Sequence, residues 1–216
     1  MKRRGLLWAA MSLPLASRAD GAALLAAVEA GDLAAVRRQL DRGTPVDTRD
    51  ARGRTALLVA THADRVEVAR LLIARGADVN ARDDIEDSPF LYAGAEGRLQ
   101  ILRLTLAAGA HLKSTNRYGG TALIPASHHG HVETVRELLK TTIDVDHVNR
   151  LGWTALLEAI ILGDGGPAHT EIVRLLVTHG ASLQRADAQG VSPLRHAEQR
   201  GQTAIAELLR AAGAAR

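Results

Sequence analysis

Asp50, Asp83, Asn116, Asn149 and Asp187 stand 33, 33, 33 and 38 residues apart, and similar text follows each of them. A fixed period of this length has to be read before any shorter motif, because a repeat array folds as a stack of small units rather than around one closed core. The unit from Asp50 to Arg82 reads DARGRTALLVATHADRVEVARLLIARGADVNAR, and that from Asn116 to Val148 reads NRYGGTALIPASHHGHVETVRELLKTTIDVDHV. Such arrays usually present a surface and seldom house chemistry.

Local chemistry gives each unit its shape. The opening Asx side chain can bond its own backbone, and the Gly three residues on (Gly53, Gly119, Gly152, Gly190) accepts a positive φ, which together spell a turn. Thr55, Ser88, Thr121, Thr154 and Ser192 follow as N-caps, and Pro89 and Pro193 then suit the first helical position. A short apolar helix comes next, as in Ala56 to Ala60. A second helix carries Val66, Val68, Ala69, Leu71, Leu72 and Ile73 at helical spacing, with Gly76, Gly109, Gly180 and Gly213 as stops. One such helix pair cannot bury its own apolar face, so stability is shared between stacked neighbours.

Gly130-His131 and Gly76-Ala77-Asp78-Val79-Asn80, set in this turn-helix-helix frame, resemble the ankyrin repeat over nearly all of residues 20 to 216. Arg117-Tyr118-Gly119-Gly120, the run Gly152 to Ala159 and Asp164-Gly165-Gly166 are similar to stand-alone bacterial ankyrin proteins of unassigned function. The resemblance implies an all-α ankyrin-repeat solenoid of about six helix-turn-helix units with projecting β-turn fingers. The units run 20–49, 50–82, 83–115, 116–148, 149–186 and 187–216.

Residues 1–19 stand apart. Lys2-Arg3-Arg4 is a basic head, residues 5–17 are 13 uncharged residues, and Ser17-Arg18-Ala19 places small residues at −3 and −1 before Asp20. This is the three-part layout of a cleaved secretory signal, too short to span a bilayer. The reading is therefore a periplasmic or secreted protein with no membrane insertion after processing. The alternative is a cytoplasmic one that retains the segment as a helix of the first repeat. Arg3-Arg4 leaves Sec and twin-arginine export both open. The whole chain has 27 basic and 24 acidic residues. Removing Lys2, Arg3, Arg4 and Arg18 leaves 23 basic against the same 24 acidic, a net −1, and no electrostatic case for nucleic acid. With no cysteine there are no disulfides, thiolate zinc sites or thiol nucleophiles. Only 5 aromatic residues, Trp 2, Tyr 2 and Phe 1, suit thin layers of Ala, Leu and Val better than a closed globular core.

Departures from the period carry their own expectations. Glu86 replaces the turn Gly of unit three, which predicts a distorted, acidic finger. Thr142 replaces the stop Gly of unit four. Unit five is five residues longer around Gly163-Asp164-Gly165-Gly166-Pro167, read as a loop between its helices. Arg37, Arg38 and Gln39 at one end, and Gln199, Arg200, Gln202 and Arg210 at the other, read as polar caps.

The chain offers little to catalysis. His128-His129-X-His131 could suggest a metal, but adjacent His residues on a helix diverge and His131 holds the structural Gly-His position. No HExxH or G-x-S-x-G is present, and Gly119-Gly120 and Gly165-Gly166 are turn glycines. Glu158 and Asp164 read as solvated carboxylates. Neither catalytic residues nor a cofactor or metal is assigned. The resemblance instead implies a concave groove lined by finger tips and first-helix ends. In this chain those positions are Arg52, Arg54 and His62; Asp84, Asp87 and Glu96; Arg117, Tyr118, His128 and His129; and Arg150, Trp153 and Asp164. Tyr118 and Trp153 are the expected anchors, being of the types that dominate interface hot spots. The implied function is a monomeric, non-catalytic protein-binding module, with an inhibitor or immunity-type protein as one form. The rivals are a cytosolic adaptor, or a metal-binding or hydrolytic protein using the His and acidic fingers.

Overall fold

The computed structural model describes residues 18–214; residues 1–17 of the predicted leader lie outside them. Among the described residues twelve helices form six antiparallel pairs: α1 Arg18–Ala30 and α2 Leu33–Asp41, α3 Ala56–His62 and α4 Val66–Ala74, α5 Pro89–Ala95 and α6 Leu99–Ala107, α7 Leu123–His128 and α8 Val132–Leu138, α9 Ala155–Ile161 and α10 Pro167–Thr178, α11 Pro193–Gln199 and α12 Thr203–Ala211. First helices stack on first helices from α1 to α11, and second helices on second helices from α2 to α12, giving two layers. No strand occurs among the described residues, only a single bridge between Arg49 and Thr55.

Equivalent positions in successive units build the core. Leu57, Phe90, Leu123, Leu156 and Leu194 each fall seven residues after the turn Asx, and none is more than 1% exposed. Three residues further on, Ala60, Ala93, Ala126, Ala159 and Ala197 are all fully buried. The large side chain fills the space between layers while the small one lets the next helix close in. Each buried Leu or Phe contributes about 1.5–3 kcal/mol, so a neighbour supplies stability that a lone pair lacks.

The turns are self-sufficient, which explains the fate of unit three. Asp50 Oδ1 accepts from Arg52 N and Arg54 N at 2.8 and 2.9 Å. Asp83 Oδ1 accepts from Ile85 N and Asp87 N at 3.0 and 2.9 Å in the same way. Glu86 takes φ 68°, close to the 72° of Gly53, and the finger keeps its shape. The distortion expected there does not occur. Two Asx hydrogen bonds outweigh the cost of about 1–2 kcal/mol for a non-glycine residue in this region.

Unit four departs twice. Thr55, Ser88, Thr154 and Ser192 cap their helices through the side-chain oxygen. Thr121 does not: its Oγ1 is buried without a partner and α7 starts only at Leu123. The fourth residue after Thr121 is Pro125, which has no N–H for the Thr121 carbonyl, so the turn tightens to an Ile124 N–H to Thr121 O bond of 3.1 Å. At the other end, lacking the stop Gly, α8 is 7 residues long where α4 and α6 have 9. Thr141 closes it by donating its hydroxyl to Leu138 O at 2.6 Å and accepting from Ile143 N at 3.2 Å.

The inter-helix turns are tied by the next unit. Arg65 Nε donates to Glu29 O at 3.1 Å, His129 Nδ1 bonds Ala95 O at 2.7 Å, and His169 Nε2 bonds His128 O at 2.8 Å. Gln202 Nε2 donates to Ile160 O at 3.0 Å and Gly163 O at 3.3 Å. Gln202 is thus buried rather than a solvent-facing cap. The insertion of unit five sits between two of these ties. His169 also bonds Asp164 Oδ1 at 2.7 Å, and Pro167 belongs to the extended start of α10, so only 162–166 forms the connecting loop.

Candidate partner-binding groove

Finger tips and first-helix ends of units two to five enclose a concave cavity of about 460 Å³. Of the residues that the resemblance assigns to the groove, His62, Asp87, Glu96, Arg117, Tyr118, His128 and His129 line it. Arg52, Arg54, Asp84, Arg150, Trp153 and Asp164 are not part of the lining. The reasons are local. Arg54 makes a two-pronged pair with Asp50 at 2.7 Å and serves its own turn. Asp84 and Arg150 fold onto the neighbouring fingers, where a Cβ on Gly53 or Gly119 would meet them at 2.4 and 2.9 Å. Asp164 accepts from Gly166 N and His169. Trp153 is half-buried outside the lining, and Tyr118, 56% exposed, stands without it.

Leu151 takes the place beside Tyr118. Ile85, Tyr118 and Leu151 each lie two residues after the turn Asx, on three consecutive fingers, and are 50, 56 and 53% exposed. With Leu162, four of the five exposed large apolar residues among the described ones therefore border one cavity. The same position holds Arg52 in unit two and Gln189 in unit six. Reading that column down the repeat alignment would have found Ile85 and Leu151. An apolar cluster of this kind, ringed by polar groups, marks interaction surfaces.

The lining also carries aromatic and charged side chains. His62 stacks on Tyr92 with ring centroids 3.7 Å apart and planes at 27°. Burial, and then Arg54, hold His62 below the usual histidine range. Burial, with His129 and His169 nearby, does the same to His128. Burial pushes the Asp87 carboxyl up, although Arg117 lies 3.5 Å away. Arg117 also sits 4.8 Å over the Tyr118 ring, fixing that anchor. Glu158 is not solvated: it is 7% exposed, accepts Asn149 Nδ2 at 2.7 Å, and burial pushes its carboxyl up against the pull of Asn149 and His129. Asp164, by contrast, is open to solvent.

Among the described residues no three His, Asp or Glu side chains are placed to hold a metal ion, and no helix is long and apolar enough to cross a membrane. His129 Nδ1 is committed to Ala95 O, and the rings of His129 and His131 meet edge-on at 5.8 Å.

Residues 9–83, 90–165 and 146–215 match the family described as "Ankyrin repeats (3 copies)". A 57-residue stretch is 53% identical to the ankyrin repeat protein YahD of Escherichia coli (strain K12), covering 26% of this chain and 28% of that protein's length. The fold is similar to an ankyrin repeat domain (ABAYE2397) from Acinetobacter baumannii AYE, with TM-score 0.86 and 55% identity over 89% of this chain and 98% of that one. It is similar to EF0377, an ankyrin repeat protein, with TM-score 0.84 and 42% identity over 87% and 96% of the two chains. The ankyrin repeat domain of Bcl-3, a member of the IkappaB protein family, superposes with TM-score 0.80 at 29% identity over 89% and 86%. Unit after unit, in the text of the repeat and in its two-layer stacking, this chain belongs to the ankyrin repeat family.

Proposed function

We propose that this chain is a non-catalytic docking module that grips a partner protein in the groove of units two to five. Ankyrin repeats are interaction scaffolds, and the observation that carries the reading for this chain is the run of apolar tips Ile85, Tyr118 and Leu151 on three successive fingers. The turns are held by their own hydrogen bonds, so the surface is preformed and the ordering cost of association is low. The test is capture from the native source followed by titration of the identified protein. The variant Ile85→Ser/Tyr118→Ser/Leu151→Ser should lose at least ~30-fold in affinity, about 2 kcal/mol, with unchanged circular dichroism. Equal binding by wild type and variant would remove the groove from the account.

The same proposal places the protein in the periplasm or outside the cell, acting as a monomer. What supports this is the basic head, uncharged stretch and small residues of positions 1–19. Mass spectrometry of protein purified from the native host should find Asp20 as the first residue; an intact Met1 or Lys2 would overturn the placement.

A further inference from the structure

Glu158 carries more charge than the groove requires. It lies on α9, nine residues after the turn residue Asn149, and lines the cavity with its side chain 9% exposed. Oε1 accepts from Asn149 Nδ2 at 2.7 Å. Oε2 accepts no hydrogen bond from the described protein, and His128 Nδ1, at 3.9 Å, is too far to donate one. No Lys or Arg among the described residues pairs with this carboxylate. Asp87 already has Arg117.

Unit six treats the same pair of positions differently. There the turn residue is Asp187 and the helix residue is His196, joined by an Oδ2 to Nε2 contact of 2.7 Å. An acid meets a base, and the unit is satisfied internally. Unit five puts an amide where unit six has the acid, and an acid where it has the base. The hydrogen bond survives, but a buried negative charge is left over. Units two, three and four place Val59, Tyr92 and Pro125 there, none of which is charged near neutrality. A buried carboxylate with one oxygen unpaired costs free energy unless a cation arrives to complete it. His128, held below the usual histidine range chiefly by burial, does not supply that cation at neutral pH, and His129, which pulls on Glu158 through space, gives its Nδ1 to Ala95 O and makes no hydrogen bond to the carboxylate.

Resting on the groove reading above, we infer that Glu158 is the specificity residue of the groove and receives the guanidinium of an arginine on the docked segment, whose flanking apolar side chains rest on Ile85, Tyr118 and Leu151. Arginine fits better than lysine. Its guanidinium is less strongly hydrated and always charged, and it donates within its plane to a carboxylate. Glu96 in the same lining adds to the negative field.

The test uses a displayed library of random twelve-residue peptides selected on the purified full chain. Selected peptides should share an arginine between apolar residues. Replacing that arginine by citrulline, which keeps the shape and removes the charge, should weaken binding at least ~10-fold to wild type. Against Glu158→Gln, which keeps the Asn149 hydrogen bond, arginine and citrulline peptides should bind alike. Peptides without a cationic residue, or an equal citrulline penalty on both proteins, would overturn the assignment. Lysine binding as tightly as arginine would overturn the choice of guanidinium. If Ile85→Ser/Leu151→Ser loses the peptides while Glu158→Gln retains the citrulline penalty, the groove stands and the arginine site falls. If neither variant changes binding, or no peptide is selected, both fall.

Discussion

Single side chains decide the turns and the groove floor. An Asx carboxylate or amide that bonds two backbone N–H groups sets each finger, so the exchange of Gly for Glu86 bends nothing. The sequence made the Asx column visible but not its strength, and the predicted distortion came from treating the glycine as the sole determinant. Thr121 failed as a cap for a reason also written in the chain, the Pro125 four residues on, which matters only once the helical bond it removes is counted. Glu158 is buried along with the whole of α9, Ala155 to Ile161, and an acidic residue there reads as solvated unless the burial of that entire helix is counted. Its folded-state pKa lies above the unfolded value of about 4.3. Stability from this group is therefore full below about pH 4.3 and is lost as pH rises through the raised value. In urea titrations Glu158→Gln should match wild type in unfolding free energy at acid pH and exceed it at pH 7 by on the order of 1 kcal/mol. A variant less stable than wild type at pH 7 would contradict the buried-charge account.

Helices and loops were more legible than their ends. The 33-residue period, the caps and the stop glycines located all six pairs. The lengths of α8 and α10 were not readable, since they depend on hydrogen bonds made past the end of α8 and before the start of α10. The loop of unit five is a brace: His169 ties it to unit four and Gln202 to unit six. Gly163 leaves no room at its centre, because a Cβ there would fall 2.1 Å from Ala159 O and 2.5 Å from the His169 ring. Gly163→Ala should cost more than ~2 kcal/mol in chemical denaturation. Gly180→Ala, where nothing lies within 4 Å, should cost only the strain of its positive φ, about 1 kcal/mol. Equal losses would show that the brace has slack.

The stack as a whole has no centre, so its stability grades along its length. Interior units bury two faces, and unit six buries one, against α9 and α10. Amide hydrogen exchange should be slowest around Ile101 and Val135 and faster around Ile205, and Gln202→Ala should quicken exchange in α12 while leaving α6 unchanged. Uniform protection from α2 to α12 would mean that the layers open together. This layered plan was legible from the period alone. The groove was less so, because the choice between neighbouring finger positions depends on which side chain folds back onto the next turn, as Asp84 and Arg150 do. The apolar column that results is three units long and is bounded by Arg52 and Gln189. Those two ends act as stops on a ruler. A guest segment shifted by one unit in either direction would set a greasy side chain against a guanidinium or an amide, so the chain measures where its guest sits as well as what it is.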